Sequence, residues 1–458
     1  MRDLTTGSIP RHLARLAAPI AAGMLFQTLY ILVDLYFVAR LGDAAIAGVS
    51  AAGNVQFIIM ALTQVLGVGT MALVAQAVGR KDLDDATLVF NQSTSLAVAS
   101  AAITLVLGYG LAGFYLGTVS ADPATRAAGL QYLYYYLPGL ALQFALISMS
   151  SALRGSGVVR PGMIVQIVSV LINAVLAPVL IAGWGTGRPL GVAGAGLASS
   201  ISIAIAVLML MRFFHTHSPI RMHRGLLRVR TAVWSRILRI GLPSGGEFAL
   251  MFLLIGMIYF IIRGFGASAQ AGYGVGARVM QAVFLPAMAV AFATAPLAGQ
   301  NFGAGRMDRV RGTFRAAALM GSLLMLVPTL LCQWRPEWLI RIFSTEAEVV
   351  AIGADYLRMI SWNFVASGLI FTCSGMFQAL GNTIPSLVSS ASRLVVFALP
   401  ALWLSTRPGF TLHQVWILSV LTTAGQMVLS MMLLRAQMAR LAPAPPASPA
   451  TAELASLG

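Results

Sequence analysis

Two acidic residues stand inside long apolar stretches of the sequence, where a carboxylate can do chemistry that a carboxylate in a loop cannot. They are Asp34 and Glu247, whereas most of the other acidic residues, of 14 in all, lie between the apolar stretches. An ionised carboxylate in the middle of a bilayer costs about 2.5–3.5 kcal/mol on insertion scales. Such a residue either binds a proton or a cation as part of its function, or lies near the membrane interface.

Asp34 belongs to a polar stripe. Tyr30 and Gln27 precede it by four and seven residues, so the three side chains share one face of a helix. This pattern predicts a carboxylate that faces a cavity and binds a proton or cation. The alternative is an interfacial aspartate near the headgroups, assisted by Arg40.

Three further polar residues besides Glu247 fall in apolar stretches. Asn173 and Ser199 could complete a hydrogen-bond network with Asp34, although such residues often serve only as contacts between membrane helices. Glu247 and Arg393 are expected at similar depths, where they could form a buried salt bridge. That pair would be either a second coupling or substrate site or a purely structural link.

The composition determines which elements position these residues. Hydrophobic residues make up 58% of the 458 residues, charged residues 10%, and the mean hydropathy is +0.83. A soluble domain carries about 25% charged residues, so soluble and disordered proteins are excluded. Unbroken apolar stretches also argue against a spanning β-barrel, whose strands alternate apolar and polar residues. The sequence therefore predicts an all-α polytopic membrane protein with twelve transmembrane helices.

Basic residues indicate the orientation of these helices. With both termini cytoplasmic, inside connections hold 20 of the 30 Lys and Arg residues, outside connections hold seven, and three fall within spans. This asymmetry follows the positive-inside rule. The net charge of +16 is thus explained by topology, and no nucleic-acid partner is expected.

An internal repeat divides the chain in two. Residues of the two halves match at one constant offset of 224 positions. The pairs include Pro19 with Pro243, Gln76 with Gln300, Gly79 with Gly303, Gly157 with Gly381, and Pro161 with Pro385. Because the repeat unit holds six helices, an even number, both copies enter the membrane in the same direction. A parallel repeat of this kind is typical of transporters that rock two lobes about a central cleft.

The repeat predicts four regions. They are an N-lobe at 1–213 with helices 1–6, a basic cytoplasmic linker at 214–235, a C-lobe at 236–440 with helices 7–12, and a disordered tail at 441–458. Neither a cofactor nor an enzymatic site is expected. The five histidines form no HExxH motif in a span, the two cysteines form no metal or disulfide pattern, and the ATP-binding motif GxxxxGK[ST] is absent.

Several segments resemble the multidrug and toxin extrusion (MATE) family over about residues 10–438. They are the opening run LAAPIAAGMLFQTLYILVDLYFVARLGDAAIAGVS, the stretch VAQAVGRKDLDDA with its second copy AGQNFGAGRMDRV, and the segments LRGSGVVRPG and FQALGNTIPS. The resemblance implies a V-shaped pair of six-helix bundles that exports cationic or amphipathic compounds against inward flow of H+ or Na+. It also assigns Asp34 and Asn173 to the ion site of the N-lobe.

This chain departs from both branches of that family. The second helix-5 aspartate of the DinF branch is replaced by Ala177, and the expected helix-6 threonine corresponds to Ser199. The helix-10 aspartate of the NorM branch falls near Leu369, and its helix-7 glutamate lies deeper than Glu247. The coupling ion, H+ or Na+ near Asp34 or Glu247, therefore stays open.

The sequence as a whole predicts a secondary-active antiporter of the bacterial inner membrane. It would be a monomer that exports small lipophilic cations, with Asp34 and Glu247 as ion-coupling residues. Gln27, Tyr30, Asn173, Ser199 and Arg393 would form the substrate site or its network. Lipids are the other expected partner. The alternative is a flippase for a lipid-linked or anionic amphipathic cargo, for which Arg393 and Arg278 are the candidate cavity cations.

Overall fold

The computed structural model describes residues 2–185 and 187–441, apart from the side chains of residues 30–35. The described part is helical and contains no strand. In chain order its helices are α1 (Ile9–Ala39), α2 (Asp43–Gly79), α3 (Leu83–Val119), α4 (Pro123–Gly155), α5 (Arg160–Ile181), α6 (Val192–His217), α7 (Thr231–Ile262), α8 (Ala267–Gly303), α9 (Met307–Trp334), α10 (Pro336–Arg341), α11 (Ala347–Ile360), α12 (Phe364–Ala379), α13 (Ile384–Ser405) and α14 (Leu412–Arg440).

Twelve of these segments correspond to the predicted spans. Eleven segments in the described part of the chain, with α11 and α12 as one, are long and apolar enough to cross a membrane. The 31-residue α1 is the twelfth. Helices dominate because the hydrocarbon core offers no water to the backbone, and a helix satisfies its own N–H and C=O groups.

The internal repeat is visible in the backbone. Helices α2 and α8 both contain 37 residues, and α5 and α13 both contain 22. Gly157 and Gly381, which the repeat pairs, have φ angles of 76° and 74° at the turns that lead into α5 and α13. Residues other than glycine rarely adopt such positive φ angles. The shared glycine and its φ angle show that the same turn recurs in both copies of the repeat. We call α1–α6 the N-bundle and α7–α14 the C-bundle.

Two details of the helices differ from the sequence prediction. The tenth span is not one helix, because a 3₁₀ turn at Ser361–Asn363 separates α11 from α12. The connection between the bundles is shorter than 214–235, because α6 continues to His217 and α7 already begins at Thr231. Apolar composition marks where a helix leaves the membrane, whereas its hydrogen bonds continue into polar sequence. The tail prediction for residues 442–458 lies outside the described residues.

The connection between the bundles is held against α3. Gln92 donates through Nε2 to the carbonyls of Leu226 and Arg228 at 2.6 and 2.7 Å and accepts from the amide of Arg230 at 2.8 Å. Asn91 likewise accepts from the amide of His223 at 2.8 Å. We call the membrane side that holds this connection the linker side, and the opposite one the far side.

Candidate functional site

The N-bundle site is described only in part. Asn173 and Ser199 are buried on α5 and α6, and the Asn173 amide donates to the Ser199 hydroxyl at 3.4 Å. Gln27 is exposed on α1 and accepts from Gln166 of α5 at 2.8 Å. The side chains of Tyr30 and Asp34 lie outside the described residues, so the role of Asp34 stays a prediction.

Glu247 faces the interior of the C-bundle. Ile240 and Ser244, which precede Glu247 on α7, and Leu254, which follows it, are all buried. The spacing of these residues places them and Glu247 on a single face of the helix. Its Oε2 accepts a hydrogen bond from Ser374 of α12 at 3.0 Å. The residue is nevertheless only half-buried. The carboxylate is therefore positioned by a hydroxyl, on a side chain that is partly accessible.

Serine hydroxyls extend this site along α13. Ser386 donates to Ser374 at 3.2 Å, and Ser389 shares a hydrogen bond of 2.6 Å with Ser430 of α14. Arg393 stands on the same face as Ser386, seven residues later. Two helical turns, about 10 Å along the axis, thus separate the level of Glu247 from that of Arg393.

Arg393 and Glu247 do not form the salt bridge that the sequence allowed. Arg393 makes no ion pair with any described carboxylate. Its Nη1 donates to Oε1 of Gln426 on α14 at 3.4 Å, a long hydrogen bond. The two residues diverge because each is held by a different neutral partner, Ser374 or Gln426.

The two bundles meet through small residues on the linker side. Gly241 of α7 lies against the backbone carbonyl of Val65 in α2, and Gly79 of α2 lies against that of Gln300 in α8, with no room for a Cβ at either glycine. Gly303 of α8 lies in the same way against the carbonyl of Gln76. These contacts join backbone to backbone across the interface, so a side chain at any of the three glycines would force the bundles apart.

Two glutamines add repeat-related hydrogen bonds to this interface. Gln76 of the N-bundle donates to the carbonyl of Ala379 in the C-bundle at 2.9 Å. Gln300 of the C-bundle donates to the carbonyl of Gly155 in the N-bundle, also at 2.9 Å. Both acceptors are the last residues of corresponding helices. Each bundle therefore holds the end of a helix that belongs to the other.

The N-terminal segment, residues 2–8, lies over the same interface. The amide of Arg2 donates to the carbonyl of Ser156, while the amide of Leu4 donates to Oε1 of Gln300, both at 3.1 Å. Arg306 donates to the carbonyl of Thr5 at 2.7 Å. The segment thus connects the α4–α5 turn of the N-bundle with α8 and α9 of the C-bundle.

One titratable group belongs to this segment. Asp3 accepts hydrogen bonds from the hydroxyl and the amide of Thr5 at 2.6 and 2.8 Å. Both bonds favour the ionised carboxylate and hold the pKa of Asp3 below its usual value. The turn is therefore stabilised above the ordinary pKa of an aspartate and loses this stabilisation as the pH falls through the lowered pKa.

Known proteins share this arrangement. The family model MatE matches residues 19–179 and 243–404, one match in each bundle and together more than half of the chain. The chain belongs to the MatE family. It is therefore a multi-pass membrane transporter and not an enzyme.

Individual MATE proteins are distant in sequence but similar over their whole length. YpnP of Bacillus subtilis, a probable multidrug resistance protein, is 26% identical over 91% of each chain. NorM of Pseudomonas aeruginosa, also a probable multidrug resistance protein, is 28% identical over 81% of this chain and 77% of its own. The structure of a MOP superfamily transporter from Pyrococcus furiosus, described as having a binding pocket of reverse polarity, superposes with a TM-score of 0.89 at 22% identity. That match covers 96% of this chain and 98% of the other.

Sequence reasoning missed Gln76 and Gln300 as functional candidates. The repeat paired them, and each precedes a paired glycine, Gly79 or Gly303, by three residues. The sequence did contain a signal for them. Both copies of the repeat place a glutamine and a glycine on one face of an apolar helix, a pattern that indicates a close helix contact with a polar partner. Gln426 was also missed, because nothing in the sequence indicates which helix faces Arg393.

Proposed function

We propose that this transporter exports cationic or amphipathic compounds in exchange for H+ or Na+, by alternating access between its two bundles. The main support is the environment of Glu247, an intramembrane carboxylate that is half-buried and has a serine as its hydrogen-bond partner. Without a countercharge beside it, the carboxylate is available to a proton or a sodium ion. The multidrug resistance names of YpnP and NorM favour export of drugs over the flippase alternative.

The position of Glu247 couples ion binding to the bundle interface. Gly245, two residues earlier on α7, packs against α2, where its Cβ position is 3.0 Å from the carbonyl of Ala61. An ion at Glu247 thus binds close to the surface on which the bundles separate. An ion can drive the change only if it favours one arrangement of the bundles over the other.

Asp34 would act as the second ion-coupling residue, in the N-bundle. Gln27, Tyr30, Asn173 and Ser199 would form its network, as the family resemblance implies. A substrate would enter between the bundles from the cytoplasm or inner leaflet and leave when the ion binds. The linker side, which carries most of the basic residues, would face the cytoplasm. Both termini would then be cytoplasmic, in a monomer of the bacterial inner membrane.

Ethidium efflux from proteoliposomes tests this function. A gradient that drives H+ into the compartment from which ethidium leaves, and separately one that drives Na+ into it, would be imposed on wild type, Asp34→Asn and Glu247→Gln. Glu348→Gln is the matched control, because Glu348 is an exposed glutamate that also accepts from a serine, Ser268, at 2.8 Å. We expect one gradient to drive efflux in wild type and in the control, and to drive little or none in the other two variants.

Two results would overturn the proposal. Wild-type protein that moves ethidium at the same rate with and without either gradient is not an antiporter. Glu247→Gln and Asp34→Asn variants that both keep full gradient-driven efflux would remove the two carboxylates from the coupling step.

A further inference from the structure

Arg393 lies on the interior face of α13. The buried residues of this helix recur every three or four positions and are Ser386, Ser389, Phe397 and Ala401. Arg393 falls in register between Ser389 and Phe397, so its side chain leaves the helix towards α14 and the bundle interior. It is still partly exposed, and it therefore borders space that protein does not fill.

The hydrogen-bonding capacity of Arg393 is largely unused. A guanidinium carries five N–H donors, yet its one described bond is the long one to Gln426. The Nε group is buried without an acceptor. The Gln426 amide is already engaged with Ser390 at 3.1 Å. A membrane-embedded cation without a carboxylate partner is costly, and a bound anion would offset that cost.

A buried aromatic cluster in the core of the C-bundle lies close to Arg393. The rings of Tyr273, Tyr356 and Trp416 contact one another with centroids 4.8–5.9 Å apart. The two tyrosines lie within electrostatic range of the guanidinium. Glu247, the nearest candidate countercharge on α7, is held by Ser374 instead. The surroundings thus combine one unpaired positive charge, neutral hydroxyls and apolar rings.

The N-bundle has no equivalent of this group. At the positions that the repeat matches to Arg393 and Gln426, it carries Ser169 and Ser202. The Ser169 hydroxyl donates a hydrogen bond of 3.3 Å to the backbone carbonyl of Ser202. The helix contact is therefore made without charge in one bundle and with a guanidinium in the other. Packing alone does not require the arginine.

We propose that Arg393 binds the carboxylate of amphipathic substrates inside the C-bundle. A planar guanidinium with free donors matches a carboxylate, which it can bind in a bidentate manner. The buried aromatic cluster makes the surroundings apolar, and a charge-assisted hydrogen bond is strong where water is scarce. The inference rests on the proposed export function and adds a substrate class to it: amphiphiles that carry an anionic group, in addition to simple lipophilic cations.

Two dyes that differ in one group test this inference. Tetramethylrhodamine has a free carboxylate that is esterified in its methyl ester, and the rest of the molecule is the same. Binding of both to the full chain in nanodiscs would be measured by fluorescence anisotropy, with empty nanodiscs subtracted. The variants are Arg393→Ser, which introduces the residue that the repeat places in the N-bundle, Ser169, and, as the control, Ser392→Ala. Ser392 adjoins Arg393 on α13, but its hydroxyl bonds to the carbonyl of Val388 in its own helix at 2.8 Å.

We expect Arg393→Ser to weaken binding of the free acid about tenfold or more, the size of a charge-assisted hydrogen bond. Binding of the ester, which also reports that the variant is folded, should change less than about twofold, and Ser392→Ala should alter the binding of neither dye. If Arg393→Ser does not give monodisperse protein, Arg393→Lys supplies the test. The lysine keeps the charge but not the planar fork, so the preference for the acid should fall several-fold.

The inference is overturned if Arg393→Ser leaves acid binding unchanged, weakens acid and ester equally, or has no larger effect on acid binding than Ser392→Ala. The ethidium experiment fails separately. If wild type shows no gradient-driven efflux but still prefers the free acid in a manner that depends on Arg393, only the antiport proposal is wrong. Gradient-driven efflux without that preference removes the carboxylate site alone.

Discussion

Glu247 and Arg393 carry opposite charges within one bundle, yet each is held by a neutral side chain. Ser374 bonds to the carboxylate, and Gln426 bonds to the guanidinium. A direct ion pair would satisfy both charges and leave neither available to an ion or a substrate. Keeping them apart costs stability and leaves two charged groups available for binding, which is the usual reason for a charged residue within a membrane.

Gln76 and Gln300 should contribute unequally to stability, although the repeat relates them. Gln76 makes one described hydrogen bond across the interface, to Ala379, whereas Gln300 bonds to both Gly155 and Leu4. Each bond is worth about 0.5–1.5 kcal/mol. Gln300→Ala should therefore lower the free energy of unfolding about twice as much as Gln76→Ala, measured by thermal unfolding in detergent.

The exposed Gln131 of α4 gives the control for this comparison. Gln131→Ala should change stability by less than about 0.5 kcal/mol, as surface substitutions usually do. An equal or larger loss for Gln76→Ala than for Gln300→Ala would show that the bond to the N-terminal segment contributes nothing.

At the scale of the elements, α3 holds the connection between the bundles through two neighbouring side chains, Asn91 and Gln92. Gln92→Ala removes three hydrogen bonds to the backbone of residues 226–230. Because cleavage by a protease follows the population of the open form, trypsin should cut the arginine-rich connection about tenfold faster or more in this variant.

Thr94→Ala is the control for this measurement, because the Thr94 hydroxyl bonds to Phe90 of its own helix at 2.9 Å. It should be cleaved at the wild-type rate. Equal cleavage of Gln92→Ala and Thr94→Ala would mean that the connection is held by other contacts.

The helices show how far sequence patterns reach. Apolar stretches and the offset of 224 residues predicted the twelve spans and the equivalence of α2 with α8 and of α5 with α13, because both depend on local composition and spacing. The 3₁₀ turn at Ser361–Asn363 was not predicted. No proline or glycine marks it in this copy, whereas the matching positions of α4 carry Pro138 and Gly139 without a break in the helix.

Contacts between helices were the part that the sequence could not supply. Arg393 was correctly recognised as an unusual residue, but Gln426 lies 33 positions away on another helix. Glu247 was recognised in the same way, and its partner Ser374 is separated from it by 127 positions. Which residues meet depends on helix rotation and on packing, and neither follows from hydropathy.

For the whole molecule, the bundles are in contact through the linker-side halves of α2, α7 and α8. Backbone carbonyls, glycines and two glutamines make these contacts. If transport alternates between two arrangements of the bundles, this interface must open once in every cycle. Separation of the bundles on the linker side is therefore the central requirement of the proposed mechanism.

A reversible crosslink across α2 and α8 tests that requirement most directly. The Cβ of Ala75 is 3.0 Å from the position that a Cβ on Gly299 would take, close to the separation of about 3.5–4.5 Å in a disulfide. The two native cysteines, Cys332 and Cys373, are buried.

Ethidium efflux would be measured for Ala75→Cys/Gly299→Cys under oxidising and then reducing conditions, with each single variant as a control. We expect oxidation to stop efflux in the double variant alone and reduction to restore it. Efflux at the reduced rate in fully crosslinked protein would contradict opening of the bundles on the linker side.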